Sequence, residues 1–594
     1  MMISEAVSTD KAPDMFDKWC TDFNAAVATD DSAALGALFA QDSYWRDMLT
    51  LNERIQTAHG PAAIAAMFAD RDKSATPLRL STVGDVKKET VPGVGDFQGK
   101  FIRYETDTVC GHGYLRLKPG LQHAFTLVTA VRELKGFPER SLTHRDSASH
   151  RSGEEAVKNW LDKRMEHRAY KDRDPQVLIV GAGHAGLTVA ARLQHLGVDA
   201  LIIDRSERVG DNWRSRYHSL TLHNEICCNH LPYMPFPESW PVFLPKDKLA
   251  GWLEYYAEAM ELNVWNRTIF LSGDYDEAAS RWTARVEMPD GSVRTMRPSH
   301  IIMAIGVSGI PNIPTIPGQE DFRGQILHSS AFNSDVDVAG KAVVVMGAGT
   351  SAHDIAQDVY LRGGKPVLVQ RSPVTVVSVE QSGLAYGAFR RFEGQQSIEE
   401  TDLMVANPFD LVRRVHGVLS KVMAEGDAEL LRNLEDVGFL LDNGEDDTGF
   451  FMKLVRSLSG YYLNVGASDL IIEGKIGLRA GVGLASLGAN SAILSDGTQL
   501  EADLVVLGTG YRPLQDAVGS MFGSKVAQKV GPIWGLGQDN EMMGMWARTG
   551  QPGFFVAGGT FTMSRFYSRL TALLIKSDLV TSEQNGNREL LVAA

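Results

Sequence analysis

One arrangement occurs twice in this 594-residue chain and restricts its fold more than any other feature: a short apolar run, a glycine-rich turn, an amphipathic stretch and a second apolar run. The first copy is Gln176 to Val180, then Gly181-Ala182-Gly183-His184-Ala185-Gly186, a helical pattern with Val189, Leu193 and Leu196 inward, Gly197 as a stop, and Ala200 to Asp204. The second is Lys341 to Met346, then Gly347-Ala348-Gly349-Thr350-Ser351-Ala352, a helix with Ala352, Ile355, Ala356 and Val359 inward, Gly363-Gly364, and Pro366 to Arg371. Both helices follow the i, i+3, i+4, i+7 rule. An Asp-Gly hairpin leading to a strand and another small-residue turn also occurs twice. Asp290-Gly291 leads to Ile301 and Ala304-Ile305-Gly306, and Asp496-Gly497 leads to Leu504 and Gly508-Thr509-Gly510. Each reads as a β-meander returning to a nucleotide-binding sheet.

A lone GxGxxG is a weak signal, but its place between a strand and a helix gives it meaning. The first glycine permits the tight turn, the second lets the backbone approach a pyrophosphate, and the third lets helix and strand pack closely. The helix N-terminus then faces the phosphates. Gly181, Gly183 and Gly186 in one copy, and Gly347, Gly349, Thr350, Ser351 and Ala352 in the other, are therefore expected to hold dinucleotides. Selectivity is expected at the end of the second strand. Asp204, followed by Arg205, offers a carboxylate to ribose hydroxyls and repels a 2′-phosphate, which suits FAD or NAD. The other strand ends in Gln370-Arg371-Ser372, where a guanidinium and a hydroxyl suit the 2′-phosphate of NADPH and Gln370 leaves room for NADH.

Two dinucleotide sites in one chain imply hydride transfer between cofactors. Of the cysteines, Cys20, Cys110, Cys227 and Cys228, none forms a CxxC pair, so no zinc site is expected. Cys227 and Cys228 are adjacent, whereas flavin disulfide reductases need thiols spaced to close a ring beside the flavin. They read as buried small side chains, which directs the electrons toward oxygen or an organic acceptor.

Phe322-Arg323-Gly324-Gln325-Ile326-Leu327-His328-Ser329-Ser330-Ala331-Phe332 resembles the FxGxxxHxxx(Y/F) fingerprint of class B flavin-containing monooxygenases, and it lies just before the second unit as in that family. Baeyer-Villiger monooxygenases carry a similar fingerprint ending in Trp, where this chain has Phe332. Gly210-Asp211-Asn212-Trp213 resembles the family's GGxW segment, whose tryptophan lies by the flavin, with Asp211 in place of a glycine. Leu231 to Pro237 resembles its proline-rich segment. Counting back places His223-Asn224 where many members have an active-site Asn and the indole-3-pyruvate monooxygenases have His. Gly508-Thr509-Gly510-Tyr511 resembles the ATGY-type motif, with Gly508 for its alanine, while Thr350 and Ala352 replace the usual Asn and Gly of the second turn.

The resemblance spans about Gln176 to Lys576 and implies an α/β fold with two Rossmann-type dinucleotide-binding domains, one for FAD and one for NADPH. It also implies insertion of one oxygen atom from O2 into a small organic substrate, with oxygen activated at the flavin C4a position. The reaction is Baeyer-Villiger oxidation of ketones, S- or N-oxidation, or both. Asn212, Trp213 and Gly510 are expected at the cofactors and His223 and Asn224 in hydrogen bonds at the reacting centre; His328 is expected to fix the loop joining the two domains or to transfer a proton. The stretch from about Ser378 to Tyr462 is expected to help wall the substrate site.

The segment from about Met15 to Phe137 starts with a helical pattern (Phe16, Trp19, Phe23, Ala26) and ends in alternating runs such as Phe125 to Val131, an α+β order. Leu38-Phe39 followed by Tyr44-Trp45-Arg46-Asp47 resembles an NTF2-like (SnoaL-type) cone domain. A flavin monooxygenase so extended resembles the type II group, which oxidises ketones and tolerates NADH beside NADPH. The cone is expected to be structural or to carry a homodimer contact, the alternative being a pocket lined by Asp47, His112 and His123. The expected domains are 1–140 (cone), 141–174 (charged linker with a helix over 154–170), 175–338 (FAD, first part), 339–468 (NAD(P), with a helical insertion) and 469–594 (FAD, second part).

A net charge of -14 with scattered Lys and Arg argues against nucleic acid as a partner. No apolar run approaches the ~18 residues of a membrane span, and the start, with Glu5, Asp10, Lys11 and Asp14, lacks a secretory pattern, so a reducing cytoplasmic setting is expected. The competing expectations are an NAD(P)H oxidase releasing hydrogen peroxide, an indole-3-pyruvate-type enzyme, and a ligand-binding redox sensor.

Overall fold

The computed structural model describes residues 14–73, 77–145, 157–392 and 394–592, which divide between two compact units. The first unit takes in the chain up to Pro138 together with Leu403–Leu411 and Gln538–Glu541. Its elements are helices Met15–Ala28 and Ser32–Gly36, strands Phe39–Met48 and Ile55–His59, helix Gly60–Ala69, and strands Arg79–Val91, Gly95–Glu105, Val109–Leu117 and Ala124–Leu134. The strands form one sheet in the order second, first, sixth, fifth, fourth, third, antiparallel throughout except where the first pairs with the sixth. Asp14 caps the first helix, its carboxylate accepting from the Phe16 and Asp17 amides at 2.9 Å, and the helix buries the expected face of Phe16, Trp19, Phe23 and Ala26. Trp19 stacks on Phe23 at 5.3 Å and Phe23 meets Trp45 edge-on at 5.7 Å, contacts worth about 0.5–1.5 kcal/mol each beyond their buried area.

Asp47 is sealed in this unit. Its carboxylate accepts from Thr129 Oγ1 at 2.7 Å and from the Leu51 amide at 3.0 Å, and Trp45 donates to the same threonine hydroxyl at 3.0 Å. Burial pushes the Asp47 carboxyl up to about 6. A carboxylate so enclosed lines no open pocket, and His123 stands exposed. Arg46 forms a buried two-pronged ion pair with Glu541, at 2.7 and 2.6 Å, and lies over the Phe409 ring. Thr57 donates to Glu541 at 2.7 Å, and Arg116 donates to the Asn407 side chain at 2.8 Å and to the Met404 carbonyl at 2.7 Å. These charge-assisted bonds make the two later segments integral to the unit. A boundary near 140 therefore describes only its first stretch.

The second unit contains two parallel sheets of strands that are mostly four to six residues long. The first sheet runs Asn263–Trp265, Ala200–Ile203, Val177–Val180, His300–Met303, Phe554–Val556. The second runs Gln325–His328, Leu504–Leu507, Ala342–Met346, Lys365–Gln370, Gly477–Ala480. Each predicted meander returns to its own sheet: Ile269–Asp276, Arg281–Glu287 and Val293–Met296 precede His300–Met303, and Leu484–Gly488, Ser491–Leu494 and Gln499–Glu501 precede Leu504–Leu507. Strand pairing crosses the boundaries expected at 338 and 468. Gln325–His328, Gly477–Ala480 and Leu504–Leu507 belong to the second sheet, because their backbone groups pair there.

In the linker a helix is observed over Trp160–Ala169, opened by a reciprocal Asn159/Asp162 cap and ended by Tyr170 at φ 48°; residues 154–156 of the predicted helix lie outside the described residues. The helix Phe561–Val592 packs along His184–His195 of the first repeat. Among the described residues no helix is long and apolar enough to cross a membrane.

Candidate active site at the paired glycine turns

Gly181 turns at φ +112°, where a side chain would strike the Ala304 carbonyl, and a Cβ on Gly186 would strike the Gly181 carbonyl. Gly183 opens the helix His184–His195 without a side-chain cap, and a Cβ built there would meet only Asn212 Nδ2, at 3.9 Å. The first amides of the helix thus look into an open cradle. Asp204 stands beside it, accepting from the Ala182 amide at 2.6 Å and the Ser206 amide at 2.8 Å, and Arg205 is exposed. His184 donates through Nε2 to the Gly559 carbonyl at 3.0 Å and stacks on Phe561 at 4.2 Å. Burial pushes this imidazole down to about 4, so it is neutral near pH 7.

Trp213 lies on the short helix Asp211–Arg214, 6.2 Å from the Phe561 ring. The left-handed residue at this turn is Gly210, at φ +91°, so Asp211 meets no backbone strain. It accepts instead from the Arg208 amide at 2.9 Å and from Arg214 at 2.8 Å, which closes the turn. Downstream, Tyr217 and Leu220 sink into the core of the second sheet, with Trp213 and Leu222 packed against it.

The second turn repeats the first with one exchange. Gly347, at φ +105°, leaves no room for a side chain against Gly508, and Gly349 opens the helix Thr350–Leu361 with only the Tyr461 carbonyl nearby, at 3.9 Å from a built Cβ. In the first copy, glycine at the third position (Gly186) faces alanine (Ala304); in the second, alanine (Ala352) faces glycine (Gly508). The two departures from the family pattern thus complement one another. Thr350 donates to the Tyr461 carbonyl at 3.1 Å. Gln370 does not leave room for a cofactor: it is fully buried, and its amide bonds the Leu440 backbone at 2.7 and 2.9 Å. Arg371 and Ser372 are exposed at the strand end.

His223 and Asn224 sit on the strand Thr221–Glu225, paired antiparallel with Phe243–Pro245. Asn224 Oδ1 accepts from the Tyr386 hydroxyl at 3.0 Å, and Glu225 pairs with Arg390 at 2.9 Å, so the helical insertion reaches this strand. His223 Nε2 lies 3.5 Å from a carboxylate oxygen of buried Asp354. His328 donates through Nε2 to the Gly510 carbonyl at 2.9 Å and accepts at Nδ1 from the Ser330 amide at 3.1 Å, which ties the fingerprint loop to the Gly508–Tyr511 turn. Burial also lowers its affinity for a proton. Cys227 and Cys228 are buried thiols with sulfurs 3.9 Å apart.

Five buried polar atoms around these elements lack a protein partner: Trp213 Nε1, Arg216 Nε, His353 Nε2, Asp354 Oδ1 and Tyr511 OH. Such groups are rare in folded interiors, and together with two open cradles they suit polar planar ligands. Asp354, Tyr217, Tyr386 and His184 were not singled out from sequence. Asp354 falls on the polar face of its helix with Thr350, Gln357 and Asp358, so the sequence pattern carries no signal that could have found it.

The family described as pyridine nucleotide-disulphide oxidoreductase matches residues 178–384. The chain is 29% identical over 363 residues to the indole-3-pyruvate monooxygenase YUCCA1 of Oryza sativa subsp. japonica, covering 60% of this chain and 82% of that protein. It is 30% identical over 345 residues to the probable indole-3-pyruvate monooxygenase YUCCA3 of Arabidopsis thaliana, covering 56% and 72%. In fold it is similar to a cyclohexanone monooxygenase bound to epsilon-caprolactone, with TM-score 0.52, 16% identity and coverage of 69% and 88%. A steroid monooxygenase bound to NADP gives TM-score 0.51, 17% identity and coverage of 69% and 86%. With the paired turns, the Phe322–Phe332 fingerprint and these relatives, the chain belongs to the flavin-containing monooxygenases.

Proposed function

We propose that the chain binds FAD in the Gly181–Gly186 cradle and NADPH in the Gly347–Ala352 cradle, and inserts one atom of O2 into a small organic substrate. The observation that carries this reading is the pair of open helix N-termini, each behind a glycine where a Cβ would meet nothing closer than 3.9 Å. When bound, NADPH supplies a hydride to FAD, and the reduced flavin supplies electrons to oxygen.

The chain's own residues do the rest. The amides after Gly183 and Gly349 hold pyrophosphates, Asp204 receives ribose hydroxyls, and Arg371 with Ser372 reads a 2′-phosphate. His184, Phe561 and Trp213 form an aromatic wall that excludes water from the first cradle. Tyr386 holds Asn224 Oδ1, which sets the orientation of its carboxamide at the reacting centre. His328 keeps the loop between the two nucleotide sites in place.

The first unit fits an NTF2-like cone in its order of helices and strands and in its one parallel pair. Its role in this reading is structural. Purified protein should be yellow, and under air should consume NADPH, O2 and substrate in equal amounts. A panel of a bicyclic ketone, a thioether, a tertiary amine and indole-3-pyruvate, run with NADH and NADPH, separates ketone insertion from heteroatom oxidation. Protein that stays colourless after incubation with FAD refutes the proposal.

A further inference from the structure

Behind the strand that carries His223 lies a buried polar cluster that the functions assigned so far leave unused. Asp354 is on the first turns of the helix Thr350–Leu361, with its side chain 4% exposed. One carboxylate oxygen receives the Tyr217 hydroxyl and lies 3.5 Å from His223 Nε2; the other, Oδ1, has no protein partner. Tyr217 is itself buried in the core of the second sheet, so the hydroxyl cannot easily swing away. Burial holds the Asp354 carboxyl above the usual carboxylate range, and the imidazole opposite pulls it back. A buried carboxylate is expensive unless a donor or a cation faces it. The other titratable groups here are Arg216, whose guanidinium acts on both Asp354 and Tyr217, and Tyr462, whose hydroxyl acts on both and accepts from the Val465 and Ala467 amides. His353 stacks on Tyr462 at 4.0 Å, and burial keeps it neutral at about 4.

The two nitrogens of an imidazole point in different directions, and a hydrogen bond at one decides which nitrogen exchanges its proton. A carboxylate can only accept. The Tyr217 hydroxyl already donates to it, and His223 Nε2, the ring nitrogen that faces the same oxygen at 3.5 Å, meets it favourably only as N–H. We propose that Asp354, held by Tyr217, is a positioning residue for His223: it fixes Nε2 as the tethered nitrogen and leaves Nδ1, on the far side of the ring, as the atom that takes up and releases a proton. This rests on the reading of His223 as a side chain at the reacting centre. It gives the site one acid–base atom of defined direction, which proton transfer to or from a reacting oxygen requires.

The test follows the ring nitrogens directly. Full-length protein carrying ¹⁵N-labelled histidine is titrated with pH, with and without FAD, and His223 is assigned by the signal lost in His223→Gln. In the wild type the Nδ1 shift should follow pH while Nε2 stays in its protonated range. Asp354→Leu, which removes the acceptor facing Nε2, should let both neutral tautomers form, so that both nitrogen shifts follow pH, and the fraction of NADPH oxidation recovered as product should fall at least twofold. Tyr217→Phe should keep Nδ1 as the titrating nitrogen while broadening the Nε2 signal. A wild-type ring in which Nε2 titrates overturns the proposal, and so does an Asp354→Leu protein with the wild-type pattern. The wild-type measurement decides the matter even where Asp354→Leu does not fold. Protein that never takes up FAD refutes the functional reading instead, and the nitrogen assignment can still be made on the apoprotein.

Discussion

A methyl group added at Gly508 would lie 2.9 Å from the Ala352 Cβ and 2.6 Å from the Met346 carbonyl. Carbon atoms rest at about 3.5–4.0 Å, so the overlap cannot be absorbed without moving strand or helix. Overpacking of this kind costs about 1–3 kcal/mol, and Gly508→Ala should lower stability and NADPH affinity accordingly. Ala352→Gly alone removes a buried methyl, about 0.8 kcal/mol, and places glycine in a helix, about 1 kcal/mol, for a loss of roughly 2. The double variant recreates the arrangement of the first copy, where Ala304 faces Gly186 and a built Cβ lies 3.4 Å from the alanine methyl. The methyl–methyl clash disappears, the contact with the Met346 carbonyl remains, and the double variant should be about 1–2 kcal/mol more stable than the sum of the single effects. Pulse proteolysis of the four proteins and NADPH titrations complete the cycle. Single effects that add within about 0.5 kcal/mol, the range expected of independent sites, refute the reasoning.

Arg46→Ala leaves Glu541 buried without its partner and should cost about 3–5 kcal/mol, whereas Arg46→Met combined with Glu541→Leu should regain most of it in thermal melts. Asp47 should make stability fall with rising pH. Its carboxyl is raised from about 3.8 to about 6 on folding, so the folded state keeps a proton that the unfolded chain releases. The stabilisation is full below about pH 4 and is lost by about pH 6, roughly 3 kcal/mol in all; denaturation midpoints of wild type and Asp47→Asn across that window should converge or cross by this amount. Arg371→Ala should raise the KM for NADPH about tenfold, the scale of one charge-assisted bond at an exposed rim, with the KM for NADH unchanged. Equal effects on both nucleotides would remove Arg371 from the 2′-phosphate.

Much of the second unit could be read from residue spacing. The two turns, the inward helix faces and the meanders returning to their sheets all rest on local patterns, and they appear where periodicity places them. What escaped has no local signature. Glu541 looks like any acidic loop residue until Arg46, 495 positions away, is placed against it. Gln325–His328 and Gly477–Ala480 carry nothing in sequence that says which of two parallel sheets will take them. At a strand end Gln370 reads as leaving room for NADH, yet a loop 70 residues on supplies it with backbone partners. At the candidate site, motif context marks the glycine turns and Trp213, whereas Asp354 and Tyr217 stand out only through their mutual hydrogen bond, a pairing across 137 positions.

The composition of the first unit has a consequence for synthesis on the ribosome. Its sheet is complete once Leu134 has emerged, and Arg116 already has Glu89, yet Arg46 lacks its Glu541 counterpart until some 400 residues later. At roughly 5–20 residues per second, that is an interval on the order of tens of seconds. Until Phe409 and Glu541 are made, the nascent chain leaves the Arg46 guanidinium and the surface around it uncovered, a stretch in which chaperone capture or self-association competes with closure. Fragments ending near residue 140 should therefore behave poorly when expressed alone, and circular permutants that bring 403–411 and 538–541 ahead of the N-terminal stretch should mature faster.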